Sequence, residues 1–236
     1  MRPVLVRRAL FLSLAVHAMT AALVLAYRLR PRVEPPSAGE YRAGRLALFE
    51  TLGVPSGALV IVGDSISDRA EWAELLGRAD VVNRAIAGET VRGALEWIER
   101  AANPQARGLA VLLGVNDLLN GRKPAEVAVD YGALLARVRS SAPELPLLAV
   151  GVLPVRDGSA GAGFVSPVDI AATNTAIRAS AEEHGATFAD PGRDLRDSSG
   201  ALDADLTTDG VHLNGVGYRR LASALAPALA AMKASP

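Results

Sequence analysis

The sequence predicts an α/β protein in which a parallel β-sheet is covered by helices on both faces. From residue 41 onward, short apolar runs alternate with stretches of helical periodicity. The apolar runs show no regular alternation with polar residues, which is typical of strands buried on both faces. Polar segments follow the first three runs, at the place where ligands bind in folds of this class. The alternation of strand and helix therefore predicts a doubly wound fold of three layers.

Each of the five predicted strands is followed by a predicted helix. The strands are 58–62, 80–86, 109–114, 147–153 and 187–189, and the helices are 67–76, 91–101, 124–140, 167–183 and 217–232. The third helix carries a one-sided stripe of apolar residues three and four positions apart, formed by Val127, Tyr131, Leu134, Leu135 and Val138. Pro124 fits its first turn, where a proline loses no hydrogen bond, and Gly185 is suited to end the fourth helix.

An uncharged segment near the N-terminus predicts a hydrophobic helix. Residues 9–27 carry no charge over nineteen residues, and arginines flank them on both sides. This length meets the requirement for one membrane-spanning helix and is long for the apolar core of a cleaved signal. We therefore favour an uncleaved anchor over a cleaved signal, for which residues 24–26 offer a cleavage site, and over a buried helix.

This segment also divides the chain and implies a location. We expect a membrane anchor or signal segment at 1–30, an extended linker at 31–42 and a single domain at 43–236. Because arginines lie at both ends of the apolar segment, the positive-inside rule does not fix its orientation. Short N-terminal anchors commonly act as export signals, so we expect a membrane-anchored or secreted protein with its body outside the cytoplasm, in the periplasm if it is bacterial.

The composition excludes several classes of function. Lysine plus arginine and aspartate plus glutamate number 25 each, so the chain has no net charge to attract a nucleic acid. The chain contains no cysteine, which excludes thiol catalysis, disulfides and cysteine-based metal sites. A flavodoxin-like nucleotide binder is disfavoured because no glycine-rich, phosphate-cradling loop follows the first strand.

The end of the first predicted strand presents a serine. The apolar run at 58–62 stops at Gly63-Asp64-Ser65-Ile66, before the first predicted helix of the domain. A strand, a sharp turn and a helix are the parts that expose a nucleophilic hydroxyl at the edge of a sheet. Taken alone, such a segment is more often an ordinary turn. Its interpretation therefore depends on a base and on donors elsewhere in the chain.

His212 is the candidate base. His17 lies in the apolar N-terminal segment, and His184 lies at a helix end, where a cation suits the helix dipole. His212 follows Asp209 by three residues, so one turn can bring the carboxylate to the imidazole Nδ1–H. Such a partner fixes the tautomer and leaves Nε2 facing the serine.

Two further polar segments follow predicted strands. Gly88 lies in the segment 83–90 after the second strand, and Asn116 lies in Gly-Val-Asn-Asp at 114–117 after the third. Each segment alone is also consistent with a strand-ending turn. Asp64 and Asp117 are predicted to bond to nearby backbone N–H groups rather than to act as acids or bases. Arg84 and Glu89 could line the site or form a local ion pair, and they receive no role.

These segments together resemble the signature of the SGNH hydrolases, the superfamily of GDSL-type esterases and lipases. Ser65 in Gly-Asp-Ser-Ile, Gly88, Asn116, and Asp209 with His212 match its four blocks, over residues 57–230. The resemblance implies a flavodoxin-like three-layer α/β/α sandwich with a five-stranded parallel sheet. It also implies that Ser65 is the nucleophile, that His212 is the base, and that the backbone N–H groups of Ser65 and Gly88 and the amide of Asn116 form the oxyanion hole. The chemistry implied requires no metal and no organic cofactor.

We therefore expect a hydrolase of carboxylic esters whose substrate is a small-molecule, lipid or glycan ester. The same residues would serve an acyltransferase, or an O-deacetylase acting on a cell-envelope glycan or lipid, and the sequence does not separate these alternatives. A non-catalytic binding module is disfavoured because all five site residues are present together.

Overall fold

The computed structural model describes residues 13–25, 35–156 and 165–232, in two units, Met1–Ser37 and Ala38–Pro236. In the first unit, residues 13–25 form helix α1, whose side chains are exposed. The other residues of the predicted apolar segment 9–27 lie outside the described residues. Among the helices that are described, none combines the length and the apolarity that crossing a membrane requires.

The second unit is built on a five-stranded parallel sheet, as predicted. The strands are β1 Leu59–Gly63, β2 Val81–Asn83, β3 Gly108–Leu112, β4 Leu147–Val150 and β5 Thr187–Ala189. Their order is β2-β1-β3-β4-β5, and all pairs are parallel. The chain moves to one side of β1 to form β2 and then to the other side to form β3. The ends of β1 and β3 therefore flank the point where the strand order reverses, which is the usual ligand crevice of such sheets.

Helices connect and cover the strands. They are α2 Ala38–Leu52, α3 Ser65–Asp68, α4 Trp72–Leu76, α5 Val91–Ala94, α6 Val115–Leu119, α7 Pro124–Ser141, α8 Pro167–Glu183 and α9 Gly215–Ala231, with 3₁₀ turns at Ile98–Arg100, Pro191–Asp194 and Ala204–Leu206. Helix α7 packs against α5 and α8, and α4 packs against α9. The apolar stripe predicted for α7 is buried, and the hydroxyl of Tyr131 donates to the carbonyl of Val111 in β3 at 2.9 Å. Burying each aliphatic side chain of this stripe stabilises the fold by about 1.5–3 kcal/mol.

Two of the predicted helices are each divided into two shorter elements in the structure. The segment 67–76 contains α3 and α4, and the segment 91–101 contains α5 and the 3₁₀ turn at Ile98–Arg100. Near the end of α3, the N–H of Ala70 bonds to the carbonyl of Ser67, three residues back. After α5, Trp97 bonds to Ala94 with the same spacing. These tighter turns end each helix early, which hydrophobic periodicity does not reveal.

Helix α2 lies where the sequence analysis placed the end of a linker and the start of the domain. It begins at Ala38, so residues 38–42 are helical and belong to the second unit. Its Phe49 is buried, with its ring centroid 5.8 Å from that of Trp97. The helix is therefore packed onto the core of the domain.

Candidate active site

Ser65 is held at a tight turn between β1 and α3. Asp64 caps the helix, and its Oδ1 accepts the N–H of Ile66 at 2.9 Å. At Gly63 a Cβ atom would lie 2.5 Å from Oγ of Ser67 and 2.9 Å from the carbonyl oxygen of Leu112. A glycine is therefore needed at this position to let the turn close. The serine is 8% exposed, at the crevice end of the sheet.

A continuous hydrogen-bonded chain runs from Ser65 to Asp209. Oγ of Ser65 lies 2.9 Å from Nε2 of His212, and Nδ1 of His212 lies 2.7 Å from Oδ2 of Asp209. An ionised carboxylate can only accept, so Nδ1 carries the proton and Nε2 is free to accept from the serine. The three residues that the sequence proposed for nucleophile, base and orienting carboxylate are thus brought together.

The pKa of Asp209 is lowered, which favours its ionised form. Partial burial raises its pKa, but hydrogen bonds from the backbone N–H and the ring of His212 and from the N–H of Val211 outweigh that effect and lower the pKa to about 2. These donors are 2.8 Å, 2.7 Å and 3.0 Å from the carboxylate oxygens. The carboxylate therefore stays negative beside the imidazole, where it can stabilise an imidazolium.

Hydrogen bonds hold the loop that carries His212 at both of its ends. The hydroxyl of Thr207 donates to the carbonyl of His212 at 2.7 Å and accepts the N–H of Gly210 at 2.8 Å. Asn214 caps α9 through the N–H groups of Val216 and Gly217, at 3.0 Å each. A fixed loop keeps the imidazole in reach of the serine without further ordering.

The segment after β2 packs beside the serine turn. The N–H of Ile86 bonds to the carbonyl of Gly63 at 3.0 Å, and the N–H of Ala87 bonds to Asp68 of α3 at 3.2 Å. Gly88 follows with a φ of +80°, a conformation that glycine adopts without strain. Within residues 13–25, 35–156 and 165–232, the backbone N–H groups of Ser65 and Gly88 have no hydrogen-bond acceptor.

Asn116 is joined to this segment through Glu89. It lies on α6 after β3, and its Nδ2 donates to the carbonyl of Glu89 at 2.9 Å. One amide hydrogen of Asn116 remains available, because Nδ2 carries two. Gly88 and Asn116 thus lie in neighbouring segments connected at Glu89. No hydrogen bond links either of them to Ser65 in the described part of the chain.

The two other acidic residues of the motifs have structural contacts, as predicted. Asp64 caps α3, and Asp117 accepts the N–H of Val91 at 2.9 Å and pairs with Arg122 at 3.0 Å. Burial raises the pKa of both carboxyls, to about 7 for Asp64, despite the hydrogen bonds that act in the opposite direction. Neither residue belongs to the hydrogen-bonded chain of Ser65.

Arg84 and Glu89 do not pair with one another. The guanidinium of Arg84 lies over the ring of Phe49 and donates to the carbonyl of Gly53. Glu89 instead forms an ion pair with Arg42 of α2 at 3.0 Å. The sequence analysis missed this contribution of α2, since nothing in the pattern of residues 38–52 indicates which loop the helix contacts.

The described residues offer no metal site. Among residues 13–25, 35–156 and 165–232, no group of three or more histidine, aspartate or glutamate side chains is arranged to hold a metal ion.

The comparison with solved structures agrees with this fold. A Streptococcus pneumonia protein named for platelet activating factor is 23% identical, with a TM-score of 0.74 over 90% of this chain and 99% of its own. A GDSL-like lipase from Bacteroides thetaiotaomicron VPI-5482 is 18% identical, with a TM-score of 0.64 over 82% of this chain and 97% of its own. A member of the lipolytic protein G-D-S-L family from Veillonella parvula DSM 2008 is 19% identical, with a TM-score of 0.60 over 74% of this chain and 98% of its own.

The sequence comparisons identify the family. No curated protein matches the chain. The model of the GDSL-like Lipase/Acylhydrolase family matches residues 61–220, which include all five proposed site residues. This match spans more than half of the 236 residues. The chain belongs to the GDSL-like lipase/acylhydrolase family.

Proposed function

We propose that the protein hydrolyses carboxylic esters through an acyl-enzyme formed on Ser65. The observation that carries this proposal is the continuous chain from Oγ of Ser65 through His212 to Asp209, with distances of 2.9 Å and 2.7 Å. A serine hydroxyl is a weak nucleophile until a base takes its proton. These hydrogen bonds supply His212 as that base, with the proton on Nδ1 and Nε2 free to accept. The serine beside it lies at the crevice of the sheet.

In the first step, Oγ of Ser65 attacks the carbonyl carbon of the ester while Nε2 of His212 takes the hydroxyl proton. The carbonyl oxygen becomes an oxyanion, and the imidazole becomes an imidazolium paired with Asp209. The lowered pKa of Asp209 supports this assignment, because the carboxylate stays ionised and does not take the proton itself.

We assign the oxyanion to the backbone N–H groups of Ser65 and Gly88 and to the amide of Asn116. The two N–H groups have no other acceptor in the described residues, and Asn116 has one amide hydrogen to spare. Neutral, fixed donors stabilise the developing negative charge without reorganising during the reaction.

The intermediate then collapses, and Nε2 of His212 donates its proton to the leaving alkoxide, which departs as an alcohol. The product is an acyl ester on Ser65. In the second half, His212 takes a proton from water, the resulting hydroxide attacks the acyl carbonyl, and the free acid is released as Oγ recovers its proton. Atoms and charge balance with water as the sole co-reactant.

The test uses the full-length chain and p-nitrophenyl acetate. We expect hydrolysis by the wild type and loss of at least about 10³-fold in kcat for Ser65→Ala, because this change removes the nucleophile. Ser141→Ala is the matched control, since Ser141 lies exposed at the end of α7 and its hydroxyl donates to the carbonyl of Arg137 in the same helix. A fluorophosphonate probe should label the wild type and leave Ser65→Ala unlabelled. Wild-type turnover by Ser65→Ala would disprove the nucleophile.

The acyl group and the acceptor are separate questions within this proposal. A series of p-nitrophenyl esters from acetate to palmitate distinguishes a deacetylase from a lipase, since activity that rises toward palmitate contradicts a role in O-deacetylation. Adding a sugar or glycerol acceptor distinguishes hydrolysis from acyl transfer. An acylated acceptor formed faster than free acid would assign the protein as an acyltransferase that uses the same residues.

We further propose that the domain acts outside the cytoplasm, at a membrane or after secretion. The support is the sequence of residues 9–27, which are uncharged between flanking arginines. A reporter enzyme that is active only in the periplasm, fused after Pro236 and expressed in bacteria, tests this location. A silent fusion that is intact by immunoblot would place the domain in the cytoplasm.

A further inference from the structure

We propose that Arg42 of α2 is a positioning residue that acts through Glu89 on the proposed oxyanion donors Gly88 and Asn116. This inference rests on the proposed function, because it concerns the same reaction. It also extends the working part of the protein beyond the segment 61–220 that matches the family model. Helix α2 would then be part of the active-site framework.

Glu89 is the residue at which the two donor segments meet. It directly follows Gly88, and its carbonyl accepts the amide of Asn116 at 2.9 Å. Its backbone N–H bonds to the carbonyl of Ile86 at 3.0 Å, which closes the turn that contains Gly88. A displacement of Glu89 would therefore move both donors.

The side chain of Glu89 is buried and fully engaged. The residue is 4% exposed, and its Oε2 accepts from the indole Nε1 of Trp97 at 2.9 Å and from Nε of Arg42 at 3.0 Å. Its Oε1 accepts the N–H of Thr90 at 3.1 Å. Arg42 is the only cation paired with this carboxylate among residues 13–25, 35–156 and 165–232. A buried carboxylate that loses its cation is strongly destabilised, so it would move toward water.

Arg42 has a geometry suited to hold a loop in place. Its Nη2 donates to the carbonyl of Gly93 in α5 at 2.9 Å and to Glu96 at 2.9 Å, while Nε holds Glu89. The planar guanidinium thus fixes three acceptors at once, which the single ammonium of a lysine cannot reproduce. The contacts extend from Glu89 to Glu96, so α2 secures the whole segment that follows Gly88.

A second arginine of α2 holds the segment that precedes Gly88. Arg45 donates to the carbonyl of Ala85 through Nε at 3.1 Å and through Nη2 at 2.8 Å. It also pairs with Asp68 at 3.3 Å, and Asp68 accepts the N–H of Ala87. The hydroxyl of Tyr41, also in α2, donates to the same carboxylate. Gly88 therefore lies between two sets of contacts made by one helix.

The main variant is Arg42→Ala in the full-length chain, assayed with p-nitrophenyl acetate. Misplacing catalytic donors by about 1 Å can slow a reaction about 100-fold, so we expect kcat to fall about 10- to 100-fold with KM within about twofold of the wild type. Arg78→Ala is the matched control. It removes an ion pair with Asp80, at 22% side-chain exposure against 31% for Arg42, before β2 at the opposite end of the sheet. Its kcat should stay within about twofold.

A double-mutant cycle separates positioning from a general loss of stability. If Arg42 acts through the oxyanion donors, its removal should matter less once Asn116 is already alanine. We expect Arg42→Ala to lower kcat at least about threefold less in the Asn116→Ala background than in the wild type, while Arg78→Ala and Asn116→Ala combine additively. Additive effects of Arg42→Ala and Asn116→Ala would overturn the inference.

Two further variants keep the test decisive if Arg42→Ala does not fold. Arg42→Lys keeps the charge but loses the fork, so kcat should fall between the wild-type and alanine values in a natively folded protein. Gly93→Ala places a Cβ against Oε1 of Glu89 from the α5 side, and it should lower kcat while every residue of α2 is unchanged. Wild-type kcat in both variants overturns the inference about Arg42 and leaves the proposed function intact. An inactive wild type, or an active Ser65→Ala, overturns the proposed function itself.

Discussion

Asp209 accepts hydrogen bonds from His212 through both of its carboxylate oxygens. Oδ2 lies 2.7 Å from ring Nδ1, and Oδ1 accepts the backbone N–H of the same histidine at 2.8 Å. One side chain therefore fixes the tautomer of the imidazole and the position of the chain that carries it. The side chain of Asp209 is nevertheless 45% exposed, so solvent screens its charge and weakens its interaction with the imidazole.

We expect Asp209→Asn to lower kcat by about 10² to 10⁴-fold with little change in KM, because an amide can donate to Nδ1 and stabilise the wrong tautomer. The exposure of Asp209 places the expected loss toward the lower end of that range. Steady-state kinetics with p-nitrophenyl acetate measure the effect. Asp205→Asn, at an exposed position four residues earlier, is the control and should match the wild type. A loss below about threefold in Asp209→Asn would show that the carboxylate does not orient the base.

Asn116 offers a separate test of the oxyanion assignment. Removal of one oxyanion donor typically costs about 10²- to 10³-fold in kcat, and we expect Asn116→Ala to lose activity in that range. Asn116→Asp should lose more, since a carboxylate would repel the oxyanion. Asn120→Ala lies one helical turn away at an exposed position and should retain wild-type kcat. Equal activity of Asn116→Ala and Asn120→Ala would remove Asn116 from the hole.

The sequence predicted the sheet well, and it proposed a candidate site at one edge of that sheet, for physical reasons. Continuous apolar runs identify strands that are covered on both faces, and all five predicted strands overlap observed ones. Parallel strands have their carboxyl ends at one edge, so the polar segments after β1 and β3 had to meet there. The elimination among three histidines then left His212, which the structure places 2.9 Å from Ser65.

The contacts of α2 could not be predicted in the same way. Arg42, Arg45 and Tyr41 meet their partners across sequence separations of 23 to 54 residues, and those partners are carboxylates in other segments or backbone carbonyls. A backbone carbonyl leaves no mark in a sequence, and the charge of Glu89 alone does not reveal that it is buried. Hydrophobic periodicity finds elements, whereas such polar contacts depend on the completed tertiary structure.

Gly88 can be tested by comparison with another glycine in the same conformation. Gly88 has a φ of +80° and Gly121 a φ of +81°, and a Cβ at either position would meet nothing within 4 Å. Alanine should therefore destabilise both sites by the same backbone strain, about 1–2 kcal/mol. We expect Gly88→Ala alone to lower kcat, by at least about tenfold, because relaxing the strain moves the N–H that faces the oxyanion. Urea denaturation of both variants checks that the assayed samples are folded. Equal kcat values for the two folded variants would exclude a role for the Gly88 N–H.

The last prediction concerns Asp64, the buried cap beside the nucleophile. Its Oδ1 bonds to Ile66, but its Oδ2 is buried without a hydrogen-bond partner, and burial raises its pKa from 3.8 to about 7. Between these two pH values the folded protein holds a proton that the unfolded chain has released. The folded state is therefore favoured at pH 4 and loses this advantage as the pH rises toward 7.

Asp64→Asn should remove this dependence, since an amide keeps the acceptor for Ile66 and does not titrate. The free energy of unfolding of the wild type should fall relative to that of the variant from pH 4 to pH 7, by at most about 4 kcal/mol for a shift of this size. Urea denaturation at intervals across this range measures the difference. At pH 4 the side chain at position 64 is neutral in both folded proteins, so the offset there mainly reports the exchange of a buried carboxyl for a buried amide, and this pH serves as the internal reference. Parallel stability curves for the two proteins would show that Asp64 has no raised pKa, and a wild type that gains stability relative to the variant would reverse the predicted sign.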